Sequence, residues 1–339
     1  MNKKLIALAV TSALATPFAA LADVSVSAGI QTEISDFDNN GSLDGVRTGD
    51  ADESGGFSFI KFTGSEKLDN GWTAFGVINF SFDPTGNAGL GQRESYVGMK
   101  NDVFTFSTGT MNSSYKAVSV AYDPFLATSL QARGNGGMSG GAGLGNFGHS
   151  SYLEDVIHVI VKSGAITADV QYIADEIANQ NGSGVEDGSY VAFLKYDAGS
   201  FEVFGATNHA ETSGGDFDGY KVGGKFQTGD LTLAAQYEST ELGVFYGDGS
   251  GITGGNSDDE AEILFGSATY KLGNITLAGW VANYEQDDLD GVSFSLGGFY
   301  NFSKRTRIHA GYRSTDLEGD NGVADVEEDV VALGIRFVL

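Results

Sequence analysis

The sequence predicts an all-β protein, a single transmembrane antiparallel β-barrel of sixteen strands. The main observation is a period of two. It is clearest at the end of the chain, where apolar residues occupy every second position from Val331 to Leu339. Strict alternation places the two sets of side chains on opposite faces of a sheet. No stretch keeps a period of 3.6 residues, so we expect almost no helix.

Sixteen segments show this alternation or are bounded like strands that do. Each segment with its share of connection takes about twenty residues, which suits strands of ~10 residues tilted across a bilayer. The candidate strands are residues 24–34, 56–66, 72–82, 92–100, 103–110, 153–163, 165–174, 189–197, 200–209, 218–228, 231–240, 260–271, 274–284, 290–302, 305–314 and 328–339.

The connections alternate between short and long, which is typical of outer-membrane barrels with short periplasmic turns and long extracellular loops. A soluble β-sandwich or solenoid is the alternative, but it would bury an apolar face that recurs here up to the last residue. Tyrosines near strand ends are expected to form aromatic girdles, among them Tyr96, Tyr190, Tyr237 and Tyr312. The long loops are residues 35–55, 111–152, 175–188, 241–259 and 315–327.

The first 22 residues are expected to be a secretory signal peptide. Lys3 and Lys4 form a basic start, an apolar core follows, and Ala20-Leu21-Ala22 has the small residues of a cleavage site. Residues 23–339 would then be one barrel domain. Loss of the two lysines changes the net charge from −26 to −28. A chain this acidic repels nucleic acid, and the absence of cysteine excludes disulfides and thiolate–metal sites.

The loop at residues 111–152 differs from the rest of the chain. With the shorter connection at residues 83–91 counted, it is the third at the long-loop end of the barrel, and we call it the third loop or third long loop. It contains a bend at Asp123-Pro124, an apolar segment from Val118 to Leu130, and a glycine-rich tail from Gly134 to Gly148. The apolar segment needs a surface to pack on, and the inner barrel wall offers one. We therefore expect the loop to fold into the lumen and narrow it. An outward position, as a lid or docking site, is the alternative.

Three blocks of the chain, residues 64–74, 93–100 and 103–109, resemble the trimeric general porins of Gram-negative bacteria. The terminal alternation is similar to the family's assembly signal, although this chain ends in Leu339 where phenylalanine is usual. The resemblance implies a sixteen-stranded homotrimer in outer-membrane lipid that passes ions and small hydrophilic solutes. It also implies an inward third loop whose acidic face opposes basic residues of the wall.

Within this resemblance, Arg93 matches an arginine of the wall and Asp123 matches an acidic position of the loop. Phe59 and Thr110 stand where the family often has arginine. A second basic set, Arg305, Arg307, His309 and Arg313, shares one face of a strand and would line the lumen; simple solvation of that face is the alternative. The residues expected at the pore constriction are Tyr115, Lys116, Asp123 and Arg133, and those expected on the pore wall are Arg93, Arg305, Arg307 and Arg313.

Several short motifs are not expected to carry chemistry. G-x-S-x-G at 137–141 and G-x-G-x-x-G at 143–148 lie in one glycine-rich loop, without the strand and helix that each needs. The four histidines lack metal-ligand spacing. Residues 36–44 begin like a calcium loop, but Arg47 stands where the twelfth-position glutamate belongs. We expect no metal site and no cofactor, with weak Ca²⁺ binding by the acidic loops left open.

The sequence therefore predicts a passive diffusion channel and not an enzyme. The negative charge predicts a preference for cations. Two alternatives remain open. One is a substrate-selective sugar porin, for which Tyr115, Tyr122 and Phe125 are a weak hint. The other is a barrel hydrolase or adhesin, for which His209 near Glu211 is the only catalytic pair to consider.

Overall fold

The computed structural model describes residues 22–39, 44–50, 56–86, 89–140, 152–174, 188–212, 215–241, 260–321 and 323–339. These residues form seventeen β-strands, one short α-helix and one 3-10 helix. The strands are β1 (Ala22–Asn39), β2 (Gly45–Gly49), β3 (Phe59–Lys67), β4 (Thr73–Ser81), β5 (Gly91–Lys100), β6 (Phe104–Asn112), β7 (Tyr152–Ser163), β8 (Ile166–Ile173), β9 (Tyr190–Asp197), β10 (Phe201–Thr212), β11 (Gly215–Thr228), β12 (Leu231–Thr240), β13 (Ala261–Leu272), β14 (Ile275–Gln286), β15 (Leu289–Asn301), β16 (Thr306–Gly319) and β17 (Val326–Val338). The helices are α1 (Ser114–Ala117) and the 3-10 helix Val120–Tyr122.

The sheet closes into a barrel because β17, the last strand, pairs antiparallel with β1, from Gly29↔Val338 to Asn39↔Glu328. The other edge of β1 is shared by two strands. Its first half pairs with β3 and its second half with β2, so these two strands occupy one position of the barrel. Seventeen strands thus give sixteen barrel positions, and the predicted sixteen-stranded antiparallel barrel is confirmed.

The predicted strand bounds agree with the observed ones to within three residues at most ends. The larger differences lie at the long-loop side. β1 continues to Asn39 and β16 to Gly319, five residues past each predicted end. β2 lies inside a segment predicted to be a loop. Strands continue there because their backbone groups still find partners in the neighbouring strand, although the side chains have become polar. Residues 1–21, which hold nearly all of the predicted signal peptide, lie outside the described residues.

The outer face of the barrel is apolar and the inner face is polar or small. On β17, Leu333 and Ile335 are 54% and 48% exposed, whereas Ala332 and Arg336 between and beside them are 1% and 9% exposed. This pattern is the inverse of a soluble sandwich, as expected of a lipid-facing wall. Tyr96 departs from the predicted girdle, since it faces the lumen and packs edge-on against Phe75 at 6.3 Å. Among the described residues, no helix is long and apolar enough to cross a membrane.

Candidate functional site: the loop-lined lumen

The third long loop enters the barrel directly after β6. Its described part runs to residue 140 and is packed against the inner wall. Tyr115, Phe125, Leu130 and Met138 are all 0% exposed. Aromatic contacts fix the middle of the loop, with Phe125 lying 5.4 Å from the ring of Phe299 on β15. The apolar segment of the loop therefore packs on the inside of the barrel, as predicted.

Hydrogen bonds attach the loop to the wall from β8 round to β1. They begin at the root, where the Ser114 amide donates to Gln171 on β8 at 2.7 Å. They end at the tip, where the Ser129 amide donates to Glu33 on β1 at 2.9 Å. Between these two points, wall residues on successive strands bind the loop, namely Glu202, Lys221, Glu238, Ser267, Trp280, Ser293, Arg313 and Arg336.

The loop tip is held by charged groups in a buried setting. Both oxygens of the Glu33 carboxylate are used, one by the amide and hydroxyl of Ser129 and the other by Nε2 of His309 at 2.7 Å. Ala127 has a positive φ of 59°, which is unusual for a residue with a side chain. Its carbonyl accepts from Gln31 at 2.6 Å and from Arg336 at 3.0 Å, so the wall fixes this strained position.

An aqueous passage remains on the other side of the loop. A cavity of about 460 Å³ lies between Ser129 at the loop tip and wall residues that include Arg47, Asp50 and Arg93. It is lined by Ser81 on β4 and by Gly91 and Arg93 on β5. We call the inward faces of β3, β4 and β5 the passage wall. The lumen is therefore divided between a loop-covered part and a polar passage along this wall.

A β-bulge adds a positive charge to the passage wall. The pairing of β4 with β5 shifts register after Asn79↔Glu94, since Phe80 pairs with Gln92. The extra residue is Arg93, whose guanidinium donates to the carbonyl of Gly56 at 2.5 Å and lines the cavity. Without the bulge, alternation would place Arg93 on the lipid face with Val97 and Met99, which are exposed there.

Two predicted constriction residues, Lys116 and Arg133, lie opposite this bulge. Burial lowers the pKa of Lys116 well below its ordinary value, and the nearby charges of Arg133 and Arg93 lower it further, while Glu94 raises it. The Lys116 ammonium also lies 5.2 Å from the ring centre of Tyr152. The structure thus brings Lys116, Arg133 and Arg93 together as a basic group with Glu94 beside it, and Lys116 and Arg133 are themselves buried there, at 8% and 3% exposure.

The other two predicted constriction residues point away from the passage. Asp123 is 3% exposed, and its carboxylate accepts from the amides of Phe125 at 2.8 Å and Ala132 at 2.7 Å. Burial raises its pKa to about 7, although these hydrogen bonds oppose the shift. Tyr115 is covered by the Lys221 ammonium, 4.1 Å from its ring centre. Asp123 shapes the loop, and Tyr115 anchors it.

The predicted basic residues at and near β16 do not share one environment, because the third loop covers some of them and not others. Arg313 faces inward as predicted, but it is 1% exposed and donates from Nε to the Ser129 carbonyl at 3.0 Å. Arg307 also faces inward and stacks over Phe299 at 4.5 Å, on the loop-covered part of the wall. Arg305 lies just before β16 in an exposed turn. Of the four predicted wall cations, Arg93 is the one that lines the described cavity.

Sequence reasoning did not single out the residues that hold the loop. Glu33, Trp280 and Arg336 carry no local signal that distinguishes them from ordinary lumen residues. One signal was available for Lys221 and Glu238. These oppositely charged residues lie directly across from each other on β11 and β12 and are both 0% exposed. Two residues of opposite charge that face each other on the inner side of neighbouring strands are therefore a signal that sequence reasoning could have used.

Residues of the short motifs that were not expected to carry chemistry have structural roles in the described part of the chain. Ser139, the central serine of G-x-S-x-G, donates its hydroxyl to Glu238 at 2.6 Å. Asp36 and Asp38 lie in β1 instead of a calcium loop. His209 bonds Asp218 at 2.9 Å on the outer face. The described residues contain no cluster of three potential metal ligands. Weak Ca²⁺ binding by the acidic loops stays a prediction.

A closed barrel with an apolar exterior, a polar lumen and a loop packed inside defines a transmembrane channel protein. The family model described as Gram-negative porin matches residues 7–320, and the chain belongs to this family of the bacterial outer membrane. It is 26% identical to the major outer membrane protein P.IB of Neisseria gonorrhoeae over 370 aligned positions, which cover 99% of each chain.

Solved structures share the fold. An anion-selective porin from Comamonas acidovorans superimposes with a TM-score of 0.76 over 94% of this chain and 100% of that one, at 19% identity. A trimer form of OmpT from Vibrio cholerae superimposes with a TM-score of 0.65, over 94% of this chain and 100% of that one, at 16% identity. At such identities these likenesses show the fold alone.

Proposed function

We propose that this porin is a passive diffusion channel for ions and small hydrophilic solutes, narrowed by its third loop at Lys116 and Arg133. The observation that carries the proposal is the division of the lumen. The loop is bound along one side of the barrel, and a cavity of about 460 Å³ adjoins the passage wall on the other. Polar and charged residues line this passage, so water and hydrated solutes are favoured over apolar compounds.

We propose further that the channel prefers cations. In the four long loops other than the third, residues 35–55, 175–188, 241–259 and 315–327, the sequence has nineteen acidic residues and one basic residue, Arg47. These loops connect strands at the same end of the barrel, so their charge concentrates cations at one mouth. The basic group around Arg93 opposes this effect at the narrow part, where few carboxylates are available.

A salt-gradient measurement on the reconstituted porin tests this preference. With two dilute KCl solutions that differ tenfold in concentration across the membrane, the reversal potential should have the cation-selective sign. It should shrink as the salt is raised, because the Debye length falls from about 10 Å at 0.1 M to about 3 Å at 1 M. An anion-selective sign at low salt would mean that Arg93, Lys116 and Arg133 dominate the acidic mouth, and the proposed preference would be withdrawn.

We also propose a homotrimer. The support is the trimer form among the structurally similar porins and the broad apolar outer face, which can meet either lipid or another barrel. Electrophoresis of unheated protein in mild detergent should show one species at three times the monomer mass, converted to monomer on heating. A monomer band from unheated, folded barrel would contradict this assembly.

A further inference from the structure

The cavity beside the loop tip is lined by two guanidinium groups that a solute can reach. Arg93 and Arg47 are both partly exposed, and both line the cavity. A guanidinium has five N–H donors, and the hydrogen bond from Arg93 to the Gly56 carbonyl uses one of them. The guanidinium of Arg47 lies 4.2 Å from the ring centre of Phe37, which also lines the cavity. The cavity therefore presents two positive charges whose positions the wall fixes.

One peptide unit separates Arg93 from a buried carboxylate. The carbonyl oxygen of Gly56 accepts from Arg93, and the Phe57 amide of the same peptide unit donates to Oδ1 of Asp50 at 3.1 Å. Because a trans peptide unit is planar, its oxygen and its N–H point in opposite directions. Asp50 is 7% exposed, and its second oxygen accepts from the Ser58 amide at 2.5 Å. The peptide unit thus holds the guanidinium of Arg93 apart from this carboxylate and leaves it available to a solute.

A carboxylate that a solute can reach also lines the cavity. Asp83 follows β4 and is exposed. Its Oδ1 accepts from the amide and from the hydroxyl of Thr85, both at 2.8 Å. These hydrogen bonds lower the pKa of Asp83 below its ordinary value, so the group is ionised at neutral pH. The Thr85 hydroxyl lies 3.4 Å from the carbonyl oxygen of Thr48, which places this turn against β2, the strand that carries Arg47.

The cavity, of about 460 Å³, thus combines two reachable guanidinium groups with one reachable carboxylate. A simple anion is attracted by the arginines and repelled by Asp83, and a simple cation meets the reverse. We propose that the cavity is a binding subsite for small zwitterions, the class to which amino acids and short peptides belong. The solute carboxylate lies on Arg93 and Arg47, whose planar forks suit bidentate binding. The solute ammonium lies on Asp83.

The inference deepens the proposed channel function and rests on it. It also differs from the sugar channel that the sequence left open. The rings suggested for sugars, those of Tyr115, Tyr122 and Phe125, are 0%, 4% and 0% exposed, because they anchor the loop to its side of the barrel. These rings therefore offer no surface to a passing sugar.

Current block by three matched solutes tests the subsite on the full-length porin in planar bilayers. Glycylglycine is a zwitterion, N-acetylglycine lacks its ammonium, and glycylglycinamide lacks its carboxylate. Each solute is titrated in dilute KCl at equal ionic strength, and the reduction of the open-channel current is recorded. Glycylglycine should show saturable block with a half-saturating concentration about tenfold below those of the other two, as loss of one charge-assisted contact implies.

Two variants assign the two charges of the solute to their partners. Arg93→Gln should raise the half-saturating concentration of glycylglycine about tenfold and should not raise that of glycylglycinamide, which has no carboxylate to bind. Asp83→Asn should raise the value for glycylglycine about tenfold and should not raise that for N-acetylglycine, which has no ammonium. Arg305→Gln and Asp69→Asn make the same changes at exposed positions in short turns and are the matched controls. Both controls should behave like the wild type.

The outcomes separate the two proposals. Absence of ion conductance from folded, inserted protein would remove the channel function itself. Normal conductance with equal block by the three solutes, or with N-acetylglycine as effective as glycylglycine, would overturn the zwitterion subsite and leave the channel intact. An unchanged half-saturating concentration of glycylglycine in either Arg93→Gln or Asp83→Asn would also overturn it, so failure of one variant to insert leaves the other to decide.

Discussion

Nε of Arg313 donates to the carbonyl oxygen of Ser129 at 3.0 Å, although the two residues are 184 positions apart in the chain. This contact joins the tip of the third loop to β16. A second guanidinium nitrogen of Arg313 pairs with Glu328 on β17. A basic residue that the sequence assigned to the wall of the pore thus acts as a clamp on the loop, and the loop determines which wall charges face solute.

Replacing Arg313 should loosen the loop without opening the barrel. Arg313→Ala leaves the Ser129 carbonyl without this donor, at a cost of about 1–3 kcal/mol for a buried group. We expect more open-channel current noise and brief closures, with normal heat-modifiable barrel on gels. Arg305→Ala is the matched control, since Arg305 is exposed in a turn, and it should behave like the wild type. Equal noise in all three proteins would contradict the clamp.

A disulfide should lock the tip in place. The hydroxyl oxygens of Ser35 and Ser129 are 2.9 Å apart, so cysteines at these positions can approach the geometry of a disulfide. The natural chain has no cysteine, so no other thiol of the chain competes for the disulfide in the double variant. Ser35→Cys with Ser129→Cys should oxidise readily and keep its conductance on oxidation. Failure to cross-link in the folded barrel, or loss of conductance on cross-linking, would place the tip elsewhere in the open channel.

The attachment of the loop should depend on pH through Asp123. Its pKa is raised by burial from 3.8 to about 7. A group with a raised folded pKa contributes stability that is present below its ordinary value and lost as pH rises through the folded value. Current noise should therefore increase as the pH is raised from about 4 to about 7, and it should level off above that. Asp123→Asn, which keeps an acceptor for the Phe125 amide, should remove most of this dependence. A pH dependence that persists in Asp123→Asn would assign it to another group.

The last strand should be essential for closure. β17 pairs with β16 on one edge and with β1 on the other. Deleting residues 330–339 leaves both neighbours with unpaired backbone groups, which a membrane does not tolerate. We expect export without insertion, seen as protein that is never heat-modifiable. Native-like barrel from this truncation would refute the assignment of the closing strand.

Sequence reasoning located the strands because the lipid-facing side chains of a barrel alternate strictly and locally. It missed features that depend on pairing between distant residues. Arg93 turns into the lumen because the register between β4 and β5 shifts at this residue. β2 forms because it pairs with the end of β1. Asp123 was identified by position in the loop, but its burial depends on how the whole loop lies against the wall.

The central claim is that the third loop lies inside the barrel and narrows the passage. Single-channel conductance of a variant lacking residues 117–145 tests it most directly, compared with the wild type and with a control lacking residues 242–250 of another long loop. We predict that the first deletion raises conductance severalfold and admits larger sugars while the barrel remains heat-modifiable, and that the control changes conductance little. Unchanged conductance in an intact barrel without residues 117–145 would contradict the account.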